Sequence, residues 1–247
     1  MMGRNHALLG AAGYLGLAAA APTLVSTHPT PATLFAGTLV CAGVALLPDI
    51  DHPEATVSRS LGPVSWFGSR AINVLAGGHR KGTHTVWAWF AVSAFAYWAL
   101  RSPAASWVTL LLAIFAVSLL LKVLTHADGA VCALLAAVFG AAAVLFAGAD
   151  HTWLLGAVII GYGLHLLGDI ITTEGIPLFA PIGGNLAIPI IGSTDHWREE
   201  SAGIACGVVA AYLLVTMVFM PAWQAQVARA HPTATPITVV APALHQH

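Results

Sequence analysis

Charge is what this sequence has least of. Of its 247 residues, nine are Lys or Arg and ten are Asp or Glu, 8% in all, whereas an ordinary soluble domain carries roughly a quarter. A soluble helical domain needs a polar stripe along each helix, and most of the apolar stretches here have none. The net charge of −1 supplies no field for nucleic acid or a strongly acidic partner. Cysteine is scarce too: Cys41, Cys132 and Cys206 all fall inside apolar runs, lack zinc spacing and leave one over in any pairing, which excludes a disulfide framework. They read as small packing residues. No internal repeat is visible, and no cleavable signal peptide is expected, because Arg4 and His6 precede an apolar run better suited to a retained first helix.

What is abundant is apolar. Hydrophobic residues make up 58% of the chain and the mean hydropathy is +0.82. Apolar runs cover approximately 7–26, 33–48, 85–100, 105–124, 130–148, 152–171 and 201–220. Each is near the length needed to cross a hydrocarbon core of roughly 30 Å at about 1.5 Å per residue. These runs predict an all-α, polytopic transmembrane bundle of about seven spans, one domain over 1–220, with the lipid bilayer as its partner. A Pro/Ala/Thr-rich tail over 221–247 is expected to be disordered. With the N-terminus inside, Arg4, Arg59, Arg70, Arg80, Lys81, Lys122 and Arg198 fall on the cytoplasmic side and only Arg101 and Arg229 outside, which predicts a multi-pass protein with a cytoplasmic N-terminus. Two longer connections, 49–84 and 172–200, are then cytoplasmic, as loops with short interfacial helices; connections of this length are often functional.

The first of these connections opens Pro48-Asp49-Ile50-Asp51-His52-Pro53 and closes His79-Arg80-Lys81-Gly82-Thr83-His84-Thr85. An extended Asp49-Ile50-Asp51 sends both carboxylates to one side, where they could ligate one metal or bridge two; the bland alternative is a helix exit. A helix starting near Thr83 would be capped by its hydroxyl and present His84 in its first turn, with Arg80 and Lys81 adding charge for an anion; the alternative is a basic membrane anchor. His165 and Asp169 stand i, i+4 on one face of the sixth run, and an ionisable residue inside a span is costly unless it meets a partner. Such a pair is a metal clamp or interhelical glue. Span counting brings His6, Asp49, Asp51, His84, His165 and Asp169 to one membrane face. His52, His126, Asp128, Asp195, His196, Arg198 and Glu199 share that side as weaker candidates, whereas His28, Asp150 and His151 fall on the other.

Taken together, the early His6, the Pro48–Pro53 and His79–Thr85 blocks, and Gly161–Asp169 followed by Thr172-Thr173-Glu174-Gly175 and Pro177 resemble the YdjM-like family, described as LexA-binding, inner-membrane-associated metal-dependent hydrolases. The resemblance covers roughly residues 1–200. It departs at Thr85, where the family usually has Ser, and at Pro181–Asn185, where an aromatic-rich form is usual. It implies a bacterial inner-membrane protein with a metal-dependent hydrolase site.

On that reading, His84, His165, Asp49 and Asp51 are the expected ligands, with His6 and Asp169 completing a second metal position or orienting the first. His/Asp ligands suit zinc, with manganese or iron as alternatives. Asp169, His79 and Glu174 are the candidates for general base or acid. Arg80 and Lys81 would neutralise the phosphate of an amphiphilic phosphoester, a small-molecule or lipid-like substrate. Two other classes stay open: a metal-ion transporter with His165 and Asp169 on its pathway, and a non-catalytic scaffold whose metal ties helix ends together.

Overall fold

Backbone polar groups inside a bilayer have no water to bond, so the apolar stretches must satisfy them as helices. The structure, a computed structural model, describes residues 1–148, 150–194 and 196–230. Among these the order is α1 (Gly3–Ala20), α2 (Pro31–Val44), α3 (Pro63–Ala76), α4 (Val86–Ala99), α5 (Ala105–Thr125), α6 (Gly129–Ala147), α7 (Thr152–Ile170) and α8 (Trp197–Leu214). A π-helical turn, Val215–Phe219, then leads into α9 (Met220–Ala230). No strand occurs among the described residues; the 172–200 connection is held by two isolated bridges, Thr172 with Gly192 and Ile176 with Leu186.

Among the described residues, five stretches are long and apolar enough to cross a membrane: Pro31–Asp51, Ala105–Thr125, Gly129–Ala147, Thr152–Ile170 and Trp197–Arg229. That is fewer than the seven expected. The first run does form α1, but Arg4, Asn5 and His6 occupy its first turn. The third forms α4, an apolar helix of only 14 residues, about 21 Å long and short of a roughly 30 Å core. The tail also begins later than expected, since 221–230 belong to helix α9; the rest of it, 231–247, lies outside the described residues.

Local chemistry sets the helix ends. Thr30 and Thr33 form a reciprocal capping box with Pro31 in the first position of α2, and Asp128 caps α6 by accepting from Ala130 N at 2.8 Å. Pro63 starts α3, and Gly77 ends it in the left-handed conformation (φ 77°), a standard helix stop. The 3₁₀ turns Pro48–Asp51, Thr56–Arg59 and Gly82–His84 surround α3. The long 49–84 connection is therefore a folded cap.

The centre of the bundle is α2, which packs against α1, α5, α6 and α7. In lipid the hydrophobic effect does not drive helices together, so close approach through small residues matters more. A Cβ on Gly43 would lie 2.0 Å from Ala116 O of α5, and one on Gly161 of α7 would lie 2.6 Å from Cys41 O. These contacts seat α5 and α7 directly on the α2 backbone. The start of α8 is tied to α1: buried Glu199 accepts from Asn5 Nδ2 at 2.9 Å and from Met2 N, while Arg4 pairs with Glu200. At the opposite end, Asp150 accepts from Thr152 N at 2.9 Å and bonds Ser26 and Thr27, closing the turn before α7.

Replacing Gly43 with Ala drives a methyl group into a carbonyl that belongs to the α5 backbone. The change is expected to cost about 1–3 kcal/mol, the range for overpacking, and to lower the thermal midpoint of the detergent-solubilised protein. Gly16→Ala, with nothing within 4 Å of the added Cβ, should leave the midpoint unchanged or raise it through helix propensity. Equal midpoints for Gly43→Ala and wild type would refute the close-packing account.

Candidate metal centre

Four helix ends deliver the centre. His6 comes from the first turn of α1, Asp49 from the 3₁₀ turn after α2, His84 from the turn before α4, and His165 and Asp169 from the last turns of α7. His6, His84, His165 and Asp169 are buried; Asp49 keeps 20% of its side-chain surface exposed. The convergence expected from span counting is therefore present.

The atoms face one another closely. His84 Nε2 lies 3.1 Å from His165 Nε2, 3.6 Å from Asp49 Oδ1 and 3.5 Å from Asp169 Oδ2. His165 Nε2 lies 3.7 Å from Asp49 Oδ1 and 3.5 Å from Asp169 Oδ2. A tetrahedron whose corners stand about 2.0–2.1 Å from a zinc ion has edges of about 3.3 Å, so these separations match a ligand set. Two groups of side chains can each offer atoms within 4.8 Å of one another: His84, His165 and Asp169, and His6, Asp49 and His165. Buried His and Asp side chains here could hold one metal ion or two adjoining ones.

Tautomers sharpen this fit. His165 Nδ1 lies 2.7 Å from Ala45 O, and a carbonyl only accepts, so Nδ1 carries the hydrogen and Nε2 is bare in the neutral ring. Thr83 donates its hydroxyl hydrogen to Asp51 Oδ2, so its oxygen accepts from His84 Nδ1 at 3.0 Å, leaving His84 Nε2 bare as well. With both rings neutral, two lone pairs would meet at 3.1 Å beside Asp169 Oδ2, which is buried without a hydrogen-bond partner. Such an arrangement is unfavourable unless a cation lies between its members. The second ring nitrogen of each histidine is anchored by a protein oxygen, as metal-ligating histidines require.

Not every expected ligand reaches the middle. Pro48–Asp51 is a 3₁₀ turn and not extended, so residues two apart diverge: Asp49 points to His84 and His165, and Asp51 turns the other way. Asp51 Oδ1 accepts from His79 Nδ1 at 2.7 Å, and Oδ2 from Arg80 N at 3.1 Å and from Thr83. Asp51 Oδ2 still lies 3.6 Å from His84 Nδ1, which places it behind the ring and not in either ligand group. His6 Nε2 donates to Asp169 Oδ1 at 3.1 Å, and its ring stacks on His165 at 3.9 Å. Met1 N also donates to that oxygen, at 2.9 Å.

The remaining candidates are spread around this core. His79 is one-third exposed, and its ring meets His84 edge-on at 5.5 Å. Arg80 pairs with Glu174, and Lys81 is exposed. The α4 cap is Thr85, which accepts from Ala88 N at 3.2 Å, and not Thr83 as expected; His84 consequently sits in the turn before the helix. His126 ends α5, Asp128 caps α6 and His196 caps α8; Asp195 lies outside the described residues. Two supports were not foreseen. Tyr162 OH donates to Thr83 O at 2.6 Å, and Asn73 Nδ2 donates to Asp51 O at 2.6 Å. Tyr162 had a signal, since it stands three residues before His165 on the same helix face; Asn73 had none.

A polytopic helical membrane protein with a buried histidine and aspartate cluster at one end of its bundle is the class defined by this fold and site. The model of the YdjM inner membrane protein family matches residues 1–129 and 124–225. The chain belongs to that family, as its motifs led one to expect, and is accordingly a bacterial inner membrane protein. Neither the curated proteins nor the solved structures contain a match to it.

His84 would make any cation binding at this cluster depend on pH. Burial alone lowers its pKa, but the carboxylates of Asp49 and Asp51 outweigh burial and raise it from 6.5 to about 9. In the metal-free protein this ring is protonated at neutral pH, and a metal must displace that proton. Metal affinity should therefore climb about tenfold per pH unit towards pH 9 and then level off, as titration calorimetry in buffers of different ionisation enthalpy would detect. Stability of the metal-free fold should run the other way. The raised pKa stabilises it fully below about 6.5, and that contribution is lost as pH rises through about 9. Affinity independent of pH across this window would contradict the assignment.

Proposed function

We propose that this protein is a membrane-embedded, metal-dependent hydrolase acting on a phosphoester of an amphiphile at the cytoplasmic face. The observation that carries the reading is the pair of facing Nε2 atoms on His84 and His165, 3.1 Å apart, beside the unpartnered Asp169 Oδ2, with only a proton on His84 for a metal to displace. Asp49, His84, His165 and Asp169 would hold the ion, with His6 bracing Asp169 and His165. A divalent cation so held supplies Lewis-acid polarisation and a water acidified towards a pKa of about 7. Partial exposure of Asp49 favours an open position over a closed structural site.

Of the three acid–base candidates, His79 has the best placement. Asp169 is occupied by the cluster, and Glu174 is exposed and paired with Arg80. Asp51 accepts from His79 Nδ1, which orients the ring and leaves Nε2 free to take or give a proton. The linkage from Tyr162 through Thr83 to Asp51 holds that pair in register with His84. Zinc is the first choice of metal, since two imidazoles and two carboxylates suit it, with manganese or iron as alternatives.

Metal content and turnover should separate cleanly among variants. His165→Ala and Asp49→Ala should lose stoichiometric metal and all turnover. His79→Gln should keep the metal and lose at least about 100-fold in kcat, the scale of a general acid–base group. A wild-type protein that binds no metal under any loading would defeat the proposal. Metal binding without hydrolysis of any phosphoester, long-chain or short, would favour the scaffold reading, and zinc or manganese flux in proteoliposomes the transporter.

A further inference from the structure

Helix α3 is amphipathic, with its polar side turned inward. Its buried residues are Ser65 and Ser69, and Ser69 bonds Ser58 at 3.0 Å, so the helix turns a small polar face towards the protein. Its apolar residues face outward: Val64, Phe67, Val74 and Leu75 are 66–86% exposed. Positions 64, 67, 74 and 75 fall on one side of a helix. In a membrane protein, an amphipathic helix of this kind lies in the headgroup region with its apolar side among acyl chains.

Between α3 and the turn Thr56–Arg59 lies a cavity of about 330 Å³, walled by His52, Arg59, Arg70, Asn73 and His79 among others. Neither Arg59 nor Arg70 has a carboxylate within ion-pair distance among the described residues. The Arg70 guanidinium lies 4.8 Å over the Trp66 ring, which steadies it without neutralising it. Glu54 is the one carboxylate in the lining, so two cations face a single anion. Arg80, by contrast, is already paired with Glu174. A second hollow of about 580 Å³ is lined by Pro63, Phe67, Lys122 and Asp128 and shares Arg59 and Trp66 with the first as a common wall. The surface thus passes from the arginines beside His79 to an apolar wall of Pro63, Trp66 and Phe67, with Lys122 and Asp128 at its far edge.

We propose that this cavity seats the phosphate headgroup of a membrane lipid between Arg59 and Arg70, with an acyl chain passing over Phe67. The assignment deepens the hydrolase reading, on which its catalytic meaning rests, and it moves phosphate recognition from Arg80 and Lys81 to the α3 face. A planar guanidinium can grip a phosphate through two parallel hydrogen bonds. His79 belongs to both the cavity wall and the Asp51 hydrogen bond, so a headgroup seated here lies one side chain from the metal centre.

Calorimetric titration of the full-length protein in nonionic detergent tests this, with dioctanoyl phosphatidate, dioctanoylglycerol and inorganic phosphate as probes. Phosphatidate should bind at least about tenfold more tightly than either other probe, because only it engages both arginines and the apolar wall. Arg70→Gln should weaken phosphatidate binding about tenfold or more and Arg70→Lys less, since Lys keeps the charge and loses the fork. Metal content should not change in either variant, because Arg70 touches none of the cluster. Wild-type affinity in both Arg70→Gln and Arg59→Gln would overturn the proposal, as would inorganic phosphate or dioctanoylglycerol binding as tightly as phosphatidate. Phosphatidate binding that survives chelation, in a protein that hydrolyses nothing, would sink the hydrolase reading and leave this one standing. Hydrolysis with no dependence on either arginine would do the reverse.

Discussion

The structure depends on one electrostatic constraint: His84 and His165 point their Nε2 atoms at each other inside a low-dielectric bundle, beside the carboxylates of Asp49 and Asp169. Each member alone would be expensive to bury. Together they are compatible only with positive charge at their centre. A proton on His84 meets that need in part, and a divalent metal ion meets it more fully. Much of the surrounding architecture can be understood as holding the four helix ends still enough for this arrangement to persist. The close approach of α5 and α7 to the α2 backbone through Gly43 and Gly161 is one means. The tie between the first turn of α1 and Glu199 of α8 is another.

Around that core, a ring of hydrogen bonds fixes orientation. Ala45 O settles His165, Thr83 settles His84, and Asp51 gathers Thr83, His79 and the Arg80 backbone. Asp51 is therefore the hinge between two functions, the geometry of the ligand rings and the placement of the residue proposed to move protons. A carboxylate accepting this many hydrogen bonds is better suited to positioning its neighbours than to competing for an ion.

The helical parts of this design could be read directly from residues. His165 and Asp169 share a face because 3.6 residues make a turn, and a histidine in an apolar run calls for a partner. The convergence of His6, Asp49, His84 and His165 followed from counting helix ends. What could not be read depended on local backbone choices. Asp49 and Asp51 diverge because Pro48–Asp51 coils into a 3₁₀ turn, and a two-residue spacing fits either that or a strand. The α4 cap fell on Thr85 because Gly82–His84 forms its own turn. Arg59 and Arg70 drew notice only as topogenic charges, since their meeting depends on how α3 lies on its neighbours, which no periodicity specifies. The span count suffered similarly: apolar length is plain in sequence, but α4 stops at Ala99 and α1 opens on three polar residues.

The five clustered residues come from distant parts of the chain. His6, Asp49 and His84 all precede α4, whereas His165 and Asp169 lie on α7, beyond the α5–α6 hairpin. During synthesis, no early intermediate can present more than His6, Asp49 and His84, so the centre cannot form until α7 has entered the membrane and docked against α2. Convergence of the cluster is thus tied to completed assembly. A partly inserted chain would leave those early side chains without their partners, and the finished bundle gains a clasp that closes only when its seventh helix is in place.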